Sequence, residues 1–434
     1  MLTLTTNPLP QAVSRAGRKL LPFMALLFFV NYIDRVNVGI AAVRMNADLG
    51  FSTTVFGLGA GLLFIGYVLF ELPSNLVLRR VGARRWIAVI TAGWGICATA
   101  TAFVTDETTF YLLRFLLGAC EAGFVPGMIF YLTQWFPRRQ RGVFTALFMI
   151  AIPVTVTLGT PLSTLLMSVE TAAIPGWRFM FFAEGVPAIL LSLLIPRMLP
   201  NRPEDATWLT GDEKRALRAE LDAERDAVVA EAGHGSLRAT LRDFRVYAIG
   251  LIGFGITGGV YALTFFLPQI IAGFRETYGV ALSTFEIGLV TAFPSALAAV
   301  SMWLYARRSD RLGERMLHIA LPLFPAAAAL GIALYLDSPV LVMLAITVTT
   351  VLAFITIPVW WQLPGMFLTG TSAAAGIGVM GALCNSSGFV APYLTGWLRD
   401  LTGDYRTGML VIAGFMVAAA IGTLALRRDP ALKH

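Results

Sequence analysis

Long apolar runs recur along this chain, and only short polar segments separate them. A bilayer core takes about 20 apolar residues per helix. By that measure the runs predict twelve membrane spans, at roughly 20–44, 54–78, 86–104, 109–135, 142–167, 178–199, 246–274, 285–306, 316–336, 339–361, 372–398 and 407–426. One long hydrophilic stretch, Pro200 to Arg245, falls between the sixth and the seventh. The expected fold is therefore an all-α membrane protein of two six-helix bundles, 20–199 and 246–428. A tail (1–19), a linker (200–245) and a second tail (429–434) complete the chain.

Charged residues make up 14% of the 434, far below the roughly 25% of a soluble domain, and mean hydropathy is +0.72. A formal charge of +7 raises the question of nucleic acid. That reading needs a clustered basic face or a binding motif, and the basic residues here sit in short loops instead. Of the 33 Lys and Arg, 26 fall on the side holding both termini and the central linker, five on the other, and two, Arg35 and Arg114, inside spans. The positive-inside rule then predicts cytoplasmic termini and linker. Arg15, Arg18 and Lys19 before an apolar run imitate a secretory signal, but the run continues into Asp34-Arg35 without a small-residue cleavage site. It reads as a retained first helix. Cys97, Cys120 and Cys384 are odd in number and without metal-ligand spacing. His234, His318 and His434 lie outside the middle of any span, so a proton crossing this membrane domain would have to ride on carboxylates.

Asn31 to Asn37, NYIDRVN, interrupts the first run with an adjacent acid and base. Each charge there costs roughly 2.5–3.5 kcal/mol even on a lenient insertion scale, and such residues are functional by default. In the fourth span Arg114, Gly118 and Glu121 share one helical face by their spacing. Arg114 and Glu121 are about 10.5 Å apart in helix rise, and Asp34 and Arg35 diverge by about 100° around theirs. Each charge is thus expected to seek a partner on the other helix or in a bound substrate. Arginine suits a carboxylate substrate, because its planar fork binds bidentately and stays charged. A carboxylate beside arginine keeps its charge more readily than one desolvated alone, so alternating access could switch Asp34 or Glu121 between the two environments. The plainer alternative is a pair of structural interhelical salt bridges. Ala119, Gly123 and Gly127, at intervals of four, would let a neighbouring helix approach closely.

The two halves carry a weak repeat. NLVLRRVGARR (Asn75 to Arg85) and ARRSDRLGER (Ala306 to Arg315) each place a basic residue two before a glycine, at equivalent points. Repeated halves with a site between them describe many secondary transporters. In the linker, Thr210 and Glu213 have capping-box spacing for a short charged helix, although charge runs are more often solvated.

These residues carry a family resemblance. YIDRVN (Tyr32 to Asn37), ELPSNLVLRRVGARRW (Glu71 to Trp86), RFLLGACEAGFVPG (Arg114 to Gly127), GWRFMFFAEGVPA (Gly176 to Ala188), LPNRPEDATWLTGDEK (Leu199 to Lys214) and GFVAPYLTGWLRDLTG (Gly388 to Gly403) cover both halves in order. The chain resembles a major facilitator superfamily transporter of the anion:cation symporter family, and within it the bacterial permeases for tartrate and related hydroxy or sugar acids. The resemblance implies Arg35 and Arg114 for substrate, and Asp34 and Glu121 for proton coupling. It departs from the wider superfamily at Arg79, where an acidic residue is usual; the second-half copy keeps Asp310. A loop-based gating salt bridge is therefore assigned to the first half only with reserve.

Other polar positions are weaker. Glu71, Glu184 and Glu286 fall near span ends, where water or headgroups are in reach. Tyr32 and Tyr67 in the first half, and Tyr261, Gln269, Gln362, Asn385 and Ser386 in the second, are candidates for hydrogen bonds to substrate hydroxyls; ordinary packing is the alternative for the tyrosines. Gly253 to Gly258, GFGITG, matches a dinucleotide fingerprint but lies in an apolar span with no βαβ unit, so helix packing explains it better. The sequon at Asn385 lies inside a predicted span, and no nucleophile–base set appears. The combined expectation is a monomeric bacterial inner-membrane symporter of a small organic anion with protons. It needs the lipid bilayer, no cofactor, no metal and no nucleic acid. An uncoupled uniporter or exchanger is the alternative, followed by a membrane enzyme or sensor.

Overall fold

A computed structural model describes residues 8–149, 151–171, 174–231, 237–368 and 373–432. His234, His434 and most of the first tail's opening residues lie outside them, as do the side chains of Arg79 and Asp310. The described chain is helical, with no strand. The first half comprises α1 (Pro8–Leu49), α2 (Thr53–Val81), α3 (Ala83–Thr101), α4 (Glu107–Glu121), α5 (Phe124–Thr133), α6 (Arg138–Met149), α7 (Ala151–Met167) and α8 (Gly176–Met198). The linker holds α9 (Gly211–Glu231) and α10 (Leu237–Arg242). The second half comprises α11 (Phe244–Ala272), α12 (Phe274–Tyr278), α13 (Thr284–Leu312), α14 (Met316–Ala333), α15 (Pro339–Trp360), α16 (Pro364–Phe367), α17 (Ala373–Thr402) and α18 (Arg406–Leu426).

Among the described residues, 11 helical segments are long and apolar enough to cross a membrane. The third expected span, α3, is a helix but is not one of them. It has 19 residues and begins with Arg84-Arg85, which shortens its apolar part. It nevertheless lies within the bundle, packed on α8 and α4, with Trp94 fully buried.

Local chemistry sets the helix starts. The Ser52 hydroxyl accepts from Val55 N at 3.1 Å and opens α2. Asp106 accepts from Thr109 N at 2.9 Å and opens α4; that backbone amide holds the Asp106 carboxyl below the usual carboxylate range. Such caps satisfy amides that the first turn leaves orphaned. Ser283 and Glu286 form a full capping box on α13, which gives Glu286 a structural role. The glycines of the repeated loops, Gly82 and Gly313, both take positive φ, 90° and 65°, a region glycine enters without steric cost, but only Gly313 is left-handed helical.

The halves meet where α2 crosses α17, α7 crosses α13 and α1 crosses α11. Among the described residues, hydrogen bonds between the halves are made at the end opposite the termini. Asp400 on α17 accepts from Thr53 N at 3.3 Å, Thr54 N at 2.6 Å and the Thr54 hydroxyl at 2.7 Å. A carboxylate at a helix N-terminus also complements the helix dipole, so Asp400 clasps α2 from the other half. Asn46 donates to Gln269 at 3.5 Å beside it.

The linker is more than a solvated charge run. Thr210 and Glu213 complete the capping box, and Glu213 is buried with its carboxylate 2.9 Å from Arg15. Trp208 stacks on Trp135 at 5.4 Å, and Glu224 accepts from Arg138 N at 2.7 Å. α9 is thus docked on the first half.

Candidate functional site

The site is built where α1, α4 and α8 converge. α4 can reach it because α2 lets it in: a Cβ on Gly118 would sit 1.8 Å from Leu63 O, and one on Gly66 would sit 2.2 Å from Phe115 O. The helix then stops directly after Glu121. A Cβ on Gly123 would lie 1.9 Å from Ser74 Oγ, so the chain turns against α2 before α5 resumes. The small residues at intervals of four therefore do mark a close helix approach.

Arg35 Nε donates to Glu121 Oε2 at 2.7 Å, an ion pair from α1 to α4 in which Glu121 is fully buried. The cross-helix pairing anticipated from the spacing is present. The Arg35 guanidinium lies 4.7 Å from the Tyr67 ring centre and 5.9 Å from that of Tyr32. Both contacts are within cation–π range, which places the two tyrosines around the cation. Arg114, 1% exposed, pairs differently: Nη1 donates to the backbone oxygen of Asp34 at 3.3 Å, not to its carboxylate. Several buried atoms have no hydrogen-bond partner among the described residues: Arg35 Nη2, Arg114 Nε and Nη2, Glu121 Oε1 and Asp34 Oδ2. Buried polar groups are normally paired. Two arginines and two carboxylates thus retain unused capacity at one place.

Asp34 leads to a third carboxylate. Asn37 Nδ2 donates to Asp34 Oδ1 at 3.4 Å and to Glu184 Oε2 at 2.8 Å; Ser163 Oγ donates to Glu184 Oε1 at 2.6 Å. This overturns the expectation that Glu184 reaches water or headgroups near a span end. It is 5% exposed and begins eight residues inside α8, about 12 Å along the helix at 1.5 Å per residue. Asn37 and Ser163 are not singled out in sequence as site residues, and Glu184 only as a weaker candidate near a span end. The available signal was a glutamate inside an apolar run.

The second half faces this cluster with neutral groups. Tyr261 on α11 packs edge-on against Phe64 of α2 at 4.6 Å. The Thr257 and Ser387 hydroxyls lie 2.7 Å apart. Asn385 is half-buried on α17, one turn nearer the terminal end than Phe389, which meets Gly61 of α2. Two expected candidates are not brought to the centre. Gln269 bonds Asn46 at the clasped end, and Gln362 accepts from Arg315 Nε at 2.8 Å beside the loop after α13. Ser386 donates to Leu383 O of its own helix at 2.6 Å. Glu71 is half-buried on α2, one turn beyond Tyr67. The GFGITG glycines do packing work, Gly253 against the Trp360 ring and Gly255 against the Phe415 carbonyl.

The sequence model of the major facilitator superfamily matches residues 24–392. The chain belongs to this superfamily. It is a membrane transporter of a small-molecule substrate in a lipid bilayer, not an enzyme. Among its relatives, a protein of Agrobacterium vitis named "Putative tartrate transporter" is 45% identical, over 98% of this chain and 93% of its own. The "Inner membrane transport protein RhmT" of Escherichia coli K12 is 36% identical, over 98% and 97%. The fold also matches the crystal structure of a bacterial homologue of the human lysosomal transporter Spinster, in an inward-facing, unoccupied conformation. That match has a TM-score of 0.77 at 18% identity, over 96% of this chain and 98% of that one. Among the described residues of the two halves of this transporter, the buried charges Asp34, Arg114, Glu121 and Glu184 and the half-buried Arg35 all lie in the first half.

Proposed function

We propose that this transporter is a proton-coupled symporter of a small organic anion, a tartrate-like hydroxy acid or a sugar acid, working by alternating access. In this reading Arg35 and Arg114 bind the anion, Asp34 and Glu121 carry protons, and Tyr32, Tyr67, Tyr261 and Asn385 contact the rest of the substrate. The carrying observation is the Arg35–Glu121 ion pair beside Arg114, whose Nε and Nη2 have no partner among the described residues. A substrate carboxylate takes the free donors of Arg114 and competes with Glu121 for Arg35. A proton on Glu121 releases Arg35 to the substrate, so binding of the anion and binding of the proton favour each other. α3 completes twelve spans, and the basic bias of the loops puts both termini and the linker in the cytoplasm. A monomer in the bacterial inner membrane follows, needing no cofactor beyond the proton. The relative whose name carries tartrate supports that class of cargo.

Purified transporter in proteoliposomes tests this with labelled tartrate and galactonate. Uptake above equilibrium is expected only under an inward proton gradient. Accumulation that ignores the gradient would leave an uncoupled uniporter or exchanger.

A further inference from the structure

The cluster contains two guanidiniums, on half-buried Arg35 and buried Arg114, and three buried carboxylates, on Asp34, Glu121 and Glu184. Glu121 has Arg35, and Arg114 lies against Asp34. Glu184 is left over. Its hydrogen bonds come from an amide and a hydroxyl, both neutral, and it makes no ion pair among the described residues. No cation of the surrounding helices pairs with it among the described residues. From α1 the nearest charged group is Asp34, reached through Asn37, with Arg35 beside it in sequence; α4 contributes Arg114 and Glu121 beyond Asp34. α7 has no charged residue, and α3 has only Arg84 and Arg85 at its start. A charge held out of water without a partner costs several kcal/mol, and a bound proton removes it.

We propose that Glu184 binds and releases one of the transported protons in each cycle, in register with Asp34 through the shared amide of Asn37. The proposal rests on the symport reading and extends it. Among the described residues, Asn37 Nδ2 is the one donor that touches both carboxylates. When Asp34 takes a proton its claim on that amide weakens, and the amide serves Glu184 alone; when Asp34 is charged the two compete. At Glu184 an O–H bond forms with a proton from water on the proton-rich side and breaks to water on the other. No electrons change hands. A third site lets the cluster stay near neutral with a dianion between the arginines, since three protons then balance the extra charge.

The test is the proton-to-substrate ratio of the full-length transporter in proteoliposomes, with the membrane potential clamped at zero. Each coupled proton multiplies the limiting accumulation by about tenfold per unit of pH gradient, because one unit is 1.36 kcal/mol. Glu184→Gln, whose amide oxygen can accept from Asn37 while its amide nitrogen donates to the Ser163 hydroxyl, should reduce that limit by about tenfold per unit. Glu184→Asp, which keeps a titrating group, should restore it. An unchanged ratio in Glu184→Gln would make the residue a structural tie between α1, α7 and α8, and would overturn the proposal while leaving symport intact. Failure of the unaltered protein to accumulate substrate would remove symport and this proposal together. Should Glu184→Gln not fold, Ser163→Ala supplies a second reading. Removing the Ser163 hydroxyl should move a protonated-carboxyl band in the pH-induced infrared difference spectrum, and no movement would exclude Glu184 as the titrating group.

Discussion

The first half puts five charged side chains at the centre of the molecule, and the second half answers them with tyrosine, asparagine, threonine and serine. The central ion pair, Arg35 with Glu121, is internal to the first half. Near that pair the contacts between the halves include aromatic ones, Phe64 on Tyr261 at 4.6 Å and Phe64 on Phe265 at 6.3 Å, and Phe56 meets Phe266 at 5.6 Å towards the clasped end. Breaking a buried ion pair by removing one partner costs about 3–5 kcal/mol, whereas an aromatic pair adds about 0.5–1.5 kcal/mol beyond its burial. Under the proposed alternating access, segregating the charges would let one half rock against the other without pulling ions apart. The proposed proton and anion residues would then move together, and the second half would contact the substrate without charge.

The largest effect that would break this comparison lies at the two carboxylates assigned to protons. Asp34→Asn or Glu121→Gln, at least one of them, should abolish gradient-driven accumulation while labelled substrate still exchanges across the vesicle membrane. Full accumulation by both variants would move coupling elsewhere in the molecule. A smaller loss is expected at Arg114→Lys. The charge survives but the planar fork does not, and a charged hydrogen bond worth about 1.5–3 kcal/mol translates to roughly 10–100-fold weaker binding. Unchanged affinity in equilibrium binding of labelled substrate would make Arg114 a structural residue that holds the Asp34 backbone.

Much of this contrast was legible before any coordinates. Apolar runs predicted helices because a bilayer forces backbone pairing into the segment, and the divergence of Asp34 and Arg35 predicted partners on another helix. The depth of Glu184 was not legible. The sixth run was expected to begin near Arg178, and a residue's distance from a predicted boundary says little about depth when the helix begins earlier. α8 starts at Gly176, where Trp177 donates to Asp48 at 2.7 Å and Arg178 donates to Ala102 O and Val104 O at 2.9 and 3.0 Å. Those contacts anchor the helix end and leave Glu184 two turns inside. The docking of α9 was hidden for a different reason. Eleven of its 21 residues are charged, and they outnumber the side chains that seat it, buried Leu217 and Glu213, half-buried Leu221 and the neighbouring Trp208.

The smallest expected effect belongs to the neutral half. Asn385 is half-buried and carries no charge, so its loss leaves no buried ion behind. A neutral hydrogen bond contributes about 0.5–1.5 kcal/mol net, which places Asn385→Ala at roughly 2–10-fold in KM for a hydroxylated acid. The comparison between substrates sharpens the prediction. An anion of the same charge without hydroxyls should lose almost nothing, because its carboxylates are held by the other half. Equal losses for both would mean that Asn385 shapes the first-half charge cluster, and the division of labour between the halves would fail. A selective loss for the hydroxylated acid would assign hydroxyl recognition to α17 and charge recognition to α1 and α4.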